Sequence, residues 1–207
     1  MPQTNRRIVL SRAAHTLAVI AAGLCIAHSA RAASNSPTDS AQADAATLTF
    51  GGTVYLHRWS KNGQNEFTPS NDKDLDRWRD MVTINVNEAV RNGDQLAALA
   101  NSILANYQKH GKIVRTDSKP RTPQRPAEHL IVAILGNATL LEAVFARIVL
   151  IDGVGMVAVY SHRVYGREAA GPIGEWMQTN GPAIEKNLMT WDKIPAPAAL
   201  KRLPQSS

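Results

Sequence analysis

The sequence predicts an α+β fold: an antiparallel sheet of about six to seven strands with two main helices packed on it, an α/β sandwich. Three observations carry this. Asn62-Gly63 and Asp152-Gly153 suit the positive φ angles of two-residue hairpin turns, and each sits beside strand-like runs. Residues 94–110 and 172–191 repeat apolar side chains at three- and four-residue steps, as helices do. The resulting order is hairpin, strand, helix, four strands, helix.

The first 32 residues read as an export signal rather than as part of that fold. Arg6, Arg7 and Arg12 give a basic start, an uncharged apolar run spans Leu17 to Ala27, and Ala30-Arg31-Ala32 is a small-x-small cleavage site. A helix of that length rises only about 16 Å against a hydrocarbon core of roughly 30 Å, too short for an anchor. Asn5-Arg6-Arg7-Ile8-Val9-Leu10 also resembles a twin-arginine signal, with Val9 where Phe is usual. Either that route or the general secretory one implies a periplasmic or secreted protein with no transmembrane segment after cleavage.

Cleavage would change the bulk numbers. Four of the 23 Lys and Arg residues lie in 1–32 and none of the 17 Asp and Glu residues does, so the net charge falls from +6 to +2. Cys25, the only cysteine, would leave as well. The expected mature chain has no disulfide, thiolate metal site or cysteine nucleophile, and must rest on a hydrophobic core.

Residues 33–46 are small and polar, a flexible leader. One globular domain is expected over 47–194, with an extended proline-rich tail at 195–207. In the first hairpin a two-residue turn sets Trp59 opposite Glu66 and Arg58 opposite Phe67. The charged stretch 70–80 reads as a loop or a short helical turn. In "DMVTINVN", Val82, Ile84 and Val86 alternate with Thr83, Asn85 and Asn87, giving a strand with one wet face. Leu96, Leu99, Ala100, Ile103, Leu104 and Tyr107 line a core-packing helix, capped by Asn92 or Asp94 and stopped at Gly111.

Four strands follow, at 112–118, 127–135, 140–151 and 154–165. The Asp152-Gly153 turn sets Ile151 opposite Val154 and Glu142 opposite Arg163. One face of that hairpin carries Val144, Ala146, Ile148, Val157, Val159 and Ser161; the other carries Phe145, Arg147, Met156, Tyr160 and His162. In 172–191, Ile173, Trp176, Met177, Ile184, Leu188 and Trp191 form a stripe, with Gly181-Pro182 expected to break the helix in two. This order of elements resembles the Mog1/PsbP-type sandwich. The resemblance is one of topology over most of 48–191 and no residue motif carries it; it implies binding and assembly more than catalysis.

The chemistry is sparse. Ser161 and His162 are neighbours on a strand and point to opposite faces, so they cannot act as nucleophile and base. Arg147, Tyr160 and His162 share a face; His129 joins them if the 135–139 turn keeps a three-residue loop and faces the other way if the loop has two. Such a group suits a carboxylate, a phosphate or a sugar acid; ordinary amphipathic strand residues are the plainer reading. The four histidines after residue 32 have no metal-binding spacing, so no metal and no cofactor is expected. Trp176 and Trp191 read as core, Trp59 and Trp78 as candidates for contact.

The segment 109–126 sets Lys109, Lys112, Arg115, Lys119, Arg121 and Arg125 against Asp117 alone. Pro120, Pro123 and Pro126 recur every third residue, which suits an extended polyproline II stretch. It could dock on an envelope protein, an anionic glycan or lipid headgroups, or simply stay solvated. A nucleic-acid partner is not expected, since no aromatic residues are interleaved with the basic ones.

The leading expectation is therefore an exported, non-catalytic binding or accessory protein of a bacterial cell envelope. Lys119, Arg121, Arg125, Arg147, Tyr160, His162 and His129 are its candidate contact residues, with no catalytic residue assigned. The alternatives are a hydrolase-like envelope enzyme assembled from separate strands, using His162, His129 and Glu128 or Glu142, and a structural subunit of an envelope complex.

Overall fold

The structure, a computed structural model, describes residues 46–206, so the export signal and the leader up to residue 45 lie outside the described residues. Among the described residues there are eight strands: β1 (Thr47–Phe50), β2 (Thr53–Lys61), β3 (Gln64–Pro69), β4 (Asp80–Asn87), β5 (Gly111–Lys119), β6 (Glu128–Asn137), β7 (Leu140–Ile151) and β8 (Val154–Tyr165). Helices α1 (Gly93–His110) and α2 (Ala170–Thr190) are long, and α3 (Pro197–Leu200) is a single turn. All eight strands join one antiparallel sheet in the order β1-β2-β3-β4-β8-β7-β6-β5. The architecture is an α+β sandwich.

Turn chemistry sets the hairpins. Asn62 and Gly63 adopt φ of 51° and 82°, and Asp152 and Gly153 adopt 50° and 69°. Trp59 pairs with Glu66, Ile151 with Val154 and Glu142 with Arg163, as the turns predict. Arg58 does not pair with Phe67. The register shifts between His57 and Trp59, so Phe67 meets His57 and Arg58 is the extra residue of a bulge. The Arg58 head turns back to Thr68 Oγ1 at 2.9 Å and the Pro69 carbonyl at 3.2 Å.

One strand escapes the sequence reading. β1 pairs with β2 through Gly51-Gly52, at φ of 56° and 84°, with Phe50 opposite Thr53. The Gly-Gly dipeptide was the available signal.

The sheet is covered on both faces. On one, Leu96, Ala100, Ile103 and Tyr107 of α1 pack on Ile131, Ala133, Val144, Ala146, Ile148, Val157 and Val159. The Asn92 side chain caps α1 by accepting from Gln95 N at 2.9 Å. Gly111 ends the helix in extended backbone (φ 178°). Its need for glycine comes from crowding: a Cβ there would lie 2.1 Å from the Ile134 carbonyl oxygen. The expected wet face of β4 is only half wet, because Thr83 is buried while Asn85 and Asn87 are half-buried.

On the other face, α2 lies over Phe145, Tyr160 and the aromatic group around them. It runs unbroken through Pro182, contrary to the two-piece expectation. Pro182 is exposed, so the carbonyl it leaves unpaired can bond to water, while buried Gly181 packs near Phe145. Packing on the sheet then outweighs the cost of about 3 kcal/mol for an interior proline.

The C-terminal end of α2 is held by cations. Arg147 on β7 donates from Nη1 to the carbonyls of Leu188 and Trp191 at 2.9 and 2.8 Å, and from Nε to Glu128 at 2.9 Å. Lys119 Nζ donates to the Met189 carbonyl and lies 3.4 Å from Glu128.

Nor is the segment after α2 an extended tail. Ile194, Leu200 and Leu203 are buried in the same core as Leu48 and Phe50, and Ser206 N donates to the Ser60 carbonyl at 2.7 Å. The prolines here shape a turn of helix that lets apolar side chains reach the sheet.

Replacing Arg147 by Met leaves Glu128 with the half-exposed Lys119 at 3.4 Å and strands two buried carbonyls. It is expected to cost about 3–5 kcal/mol, read as a drop in the denaturant midpoint. A second expectation concerns pH. Burial lowers the pKa of His57 below its ordinary value. The unfolded chain therefore takes up a proton first as pH falls through about 6.5, and this contribution to stability declines from there downward. His57→Gln should flatten that part of the Tm–pH curve.

Candidate functional site

Where β4 begins and β8 ends, the loop 70–79 and the start of α2 enclose an open cleft of about 880 Å³. Its walls include Asp72, Arg77, Arg79, Asp80, His162, Tyr165 and Trp176. Asp80 and His162 are direct partners across β4 and β8, and Tyr160 is two residues back on the same face. Asp80 Oδ1 accepts from Tyr160 Oη at 2.7 Å and contacts His162 Nδ1 at 2.8 Å. The His162 ring lies flat on Trp176 of α2, with centroids 4.0 Å apart and planes 1° apart. Burial, then the Asp80 charge, holds the Tyr160 phenol above its ordinary pKa, so it stays a donor.

Both carboxylates of the cleft are engaged by the protein itself. Asp72 Oδ2 accepts from the backbone N–H groups of Arg79 and Asp80 at 3.2 and 3.1 Å, which ties the loop to the first residue of β4. The cations are less engaged. Arg77 and Arg79 are exposed, and among the described residues neither forms an ion pair. Arg77 rests 5.8 Å from the centroid of the Tyr165 ring. The donors left for a bound molecule thus include two guanidinium groups and the Asn71 amide, beside an imidazole. No serine, threonine, cysteine or lysine lines the cleft.

The sequence-derived candidates divide among several places. Tyr160 and His162 meet at the Asp80 carboxylate, both buried, and His162 lines the cleft. Arg147 shares their face but is 7 % exposed and spent on the end of α2. His129 lies on the opposite face: the β6–β7 loop has two residues, Asn137 pairs with Leu140, and His129 pairs with Ile148. Lys119 is joined to Glu128 and the end of α2. Arg121 and Arg125 are exposed at the other end of the strands.

Ser161 and His162 project from opposite faces, with Ser161 opposite Val144. Glu128 and Glu142 are each consumed by a buried arginine, Arg147 and Arg163, at 2.8 Å. Trp78 is buried under Arg163, whose guanidinium lies 3.8 Å from the ring centroid. Among the described residues no group of three or more metal-ligating side chains occurs.

Asp80 was not among the sequence-derived candidates. The signal was present: it continues the Val82, Ile84, Val86 stripe, so a carboxylate stands at the end of a core-facing row. Its partner His162 lies far away in sequence, on a strand whose register with β4 no local pattern shows.

No family model matches the sequence, and no curated protein does. Among solved structures the chain is similar to the Saccharomyces cerevisiae Ran-binding protein Mog1p. That similarity has 11 % identity and a TM-score of 0.39, and covers 67 % of this chain and 87 % of that one.

Asp80→Ala removes the acceptor of two buried donors and is expected to cost about 1–3 kcal/mol, against about 1 kcal/mol for Tyr160→Phe. Urea unfolding of both variants checks the order. Equal losses would mean that Asp80 contributes no more than one ordinary hydrogen bond.

Proposed function

We propose that this chain is an exported, non-catalytic binding or accessory protein of a bacterial cell envelope, and that its cleft holds a small molecule with a carboxylate or phosphate group. One observation carries the ligand class. Arg77 and Arg79 stand free of ion pairs over a floor whose carboxylates are already bonded within the protein. An oxyanion entering there meets fork-shaped donors not committed to a carboxylate, and each charge-assisted bond is stronger than a neutral one. The export-signal pattern of residues 1–32 supports the envelope setting.

A second reading rests on the Asp80–His162 contact of 2.8 Å at the cleft wall. A carboxylate that orients an imidazole is the arrangement of a general base acting on water. The lining holds no serine, threonine, cysteine or lysine, and its phenol, Tyr165, donates to the Trp78 carbonyl at 2.6 Å, which favours binding over covalent catalysis.

Glucuronate and inorganic phosphate, titrated separately and followed by the indole resonance of Trp176, test the first reading. Arg77→Ala with Arg79→Ala should weaken whichever anion binds by about tenfold or more while Tm stays unchanged, since both side chains are exposed. Binding that ignores the double substitution, or that leaves Trp176 unperturbed, would remove the cleft from the account. Release of nitrophenol from p-nitrophenyl phosphate or acetate, abolished by His162→Gln and retained by the arginine variant, would decide for the enzyme.

A further inference from the structure

The far edge of the sheet carries a second surface, independent of the cleft. Among the described residues β5 ends the strand order and pairs only with β6, so one row of its backbone N–H and C=O groups faces away from the sheet. Other than the pairing with β6, no backbone–backbone hydrogen bond among the described residues occupies residues 111–119. The strand is exposed along most of its nine residues, with Val114 48 % exposed at the bulge between Ile113 and Arg115. One outward group is locally engaged: the Asp117 carboxylate accepts from Ser118 N at 2.8 Å.

The chain beyond β5 is not an extended polyproline stretch. Thr122 and Arg125 exchange both backbone hydrogen bonds, at 2.8 and 3.2 Å, around Pro123-Gln124. This tight turn brings Arg121 and Arg125 close together just past the end of the strand. Lys109 and Lys112 flank its other end. Among the described residues, none of these four exposed cations forms an ion pair. Arg115 is neutralised by Asp117 at 2.7 Å and Glu185 at 3.5 Å, and Lys119 by Glu128.

We propose that β5 is a docking edge for an extended, acidic polypeptide segment, which adds as a ninth strand with its carboxylates reaching the cations at the two ends. Strand addition supplies main-chain hydrogen bonds for affinity, and the flanking charges select the partner and its placement. Charge decides among the occupants. A second copy laid edge to edge would face the same cations and be repelled. A lipid or glycan surface can meet the side chains but cannot use a row of backbone donors and acceptors. Single-stranded nucleic acid would need aromatic platforms, and no Phe, Tyr or Trp occurs in 109–126.

The test uses a labelled peptide of alternating Glu and Val, followed by fluorescence anisotropy with the protein lacking residues 1–32. Binding should protect amides of 111–119 from hydrogen exchange, weaken as salt rises, and fall about tenfold in Arg121→Glu with Arg125→Glu. The same peptide with alternate backbone nitrogens methylated keeps its charges but loses its donors, and should bind at least as weakly as the wild-type peptide binds that variant. Equal binding of the methylated peptide would reduce the contact to charge alone and overturn the proposal. So would tighter binding to phosphatidylglycerol vesicles than to the peptide, or no binding to the peptide at all.

Discussion

Arg147 joins the sheet to the helix that covers it. The last carbonyls of any α-helix lack intrahelical partners and carry the negative end of its dipole. In α2 that end is brought against the sheet, where water cannot serve every acceptor. A guanidinium rising from the middle of β7 reaches two of those carbonyls, with Glu128 balancing its charge and Lys119 taking a third carbonyl from the side. The result fixes α2 along its own axis. Trp176 lies three turns nearer the N-terminus, about 18 Å away at 1.5 Å per residue, so anchoring Leu188 also sets Trp176 over His162. The cleft is thus positioned from the far end of the helix.

A buried ion pair is seldom a net source of stability when set against apolar residues of the same shape. Its effect here is on specificity. Glu142 with Arg163 faces α1, while Glu128 with Arg147 faces α2. A one-residue slip of β7 would send Glu142 and Arg147 to the wrong faces together and leave four buried charges unpaired. Alternation of apolar side chains favours the native register already; the paired charges make the alternatives far worse.

The two proposed contact surfaces differ in the same physical terms. At the cleft, Asp72, Asp80, Tyr160 and His162 satisfy one another or the backbone, which leaves a stiff floor with cations at its rim. At the β5 edge, among the described residues, an outward row of backbone groups has no backbone partner. The first suits a small rigid ligand and the second a flexible chain that must be ordered as it binds. The cleft sits at the β4–β8 pair and the other surface on the β5 edge of the sheet, so occupancy of one does not block the other.

The fold class, both helices, seven of the eight strands and the register of the β7–β8 hairpin could be read from residues 47–191, because period, turn dipeptides and caps act over a few neighbours. Local chemistry also settled that Ser161 and His162 would diverge. Other features depended on contacts between distant segments. Arg147 looked like a ligand-binding arginine until α2 was laid across it, and His129 changed face on the length of one loop. Asp80 met His162 only through the pairing of β4 with β8, and the proline-rich end joined the core because Leu200 and Leu203 found a sheet to cover. A side chain's direction along its own strand is set within two residues. What stands in front of it is set by which strands become neighbours, and that is a property of the whole packed chain.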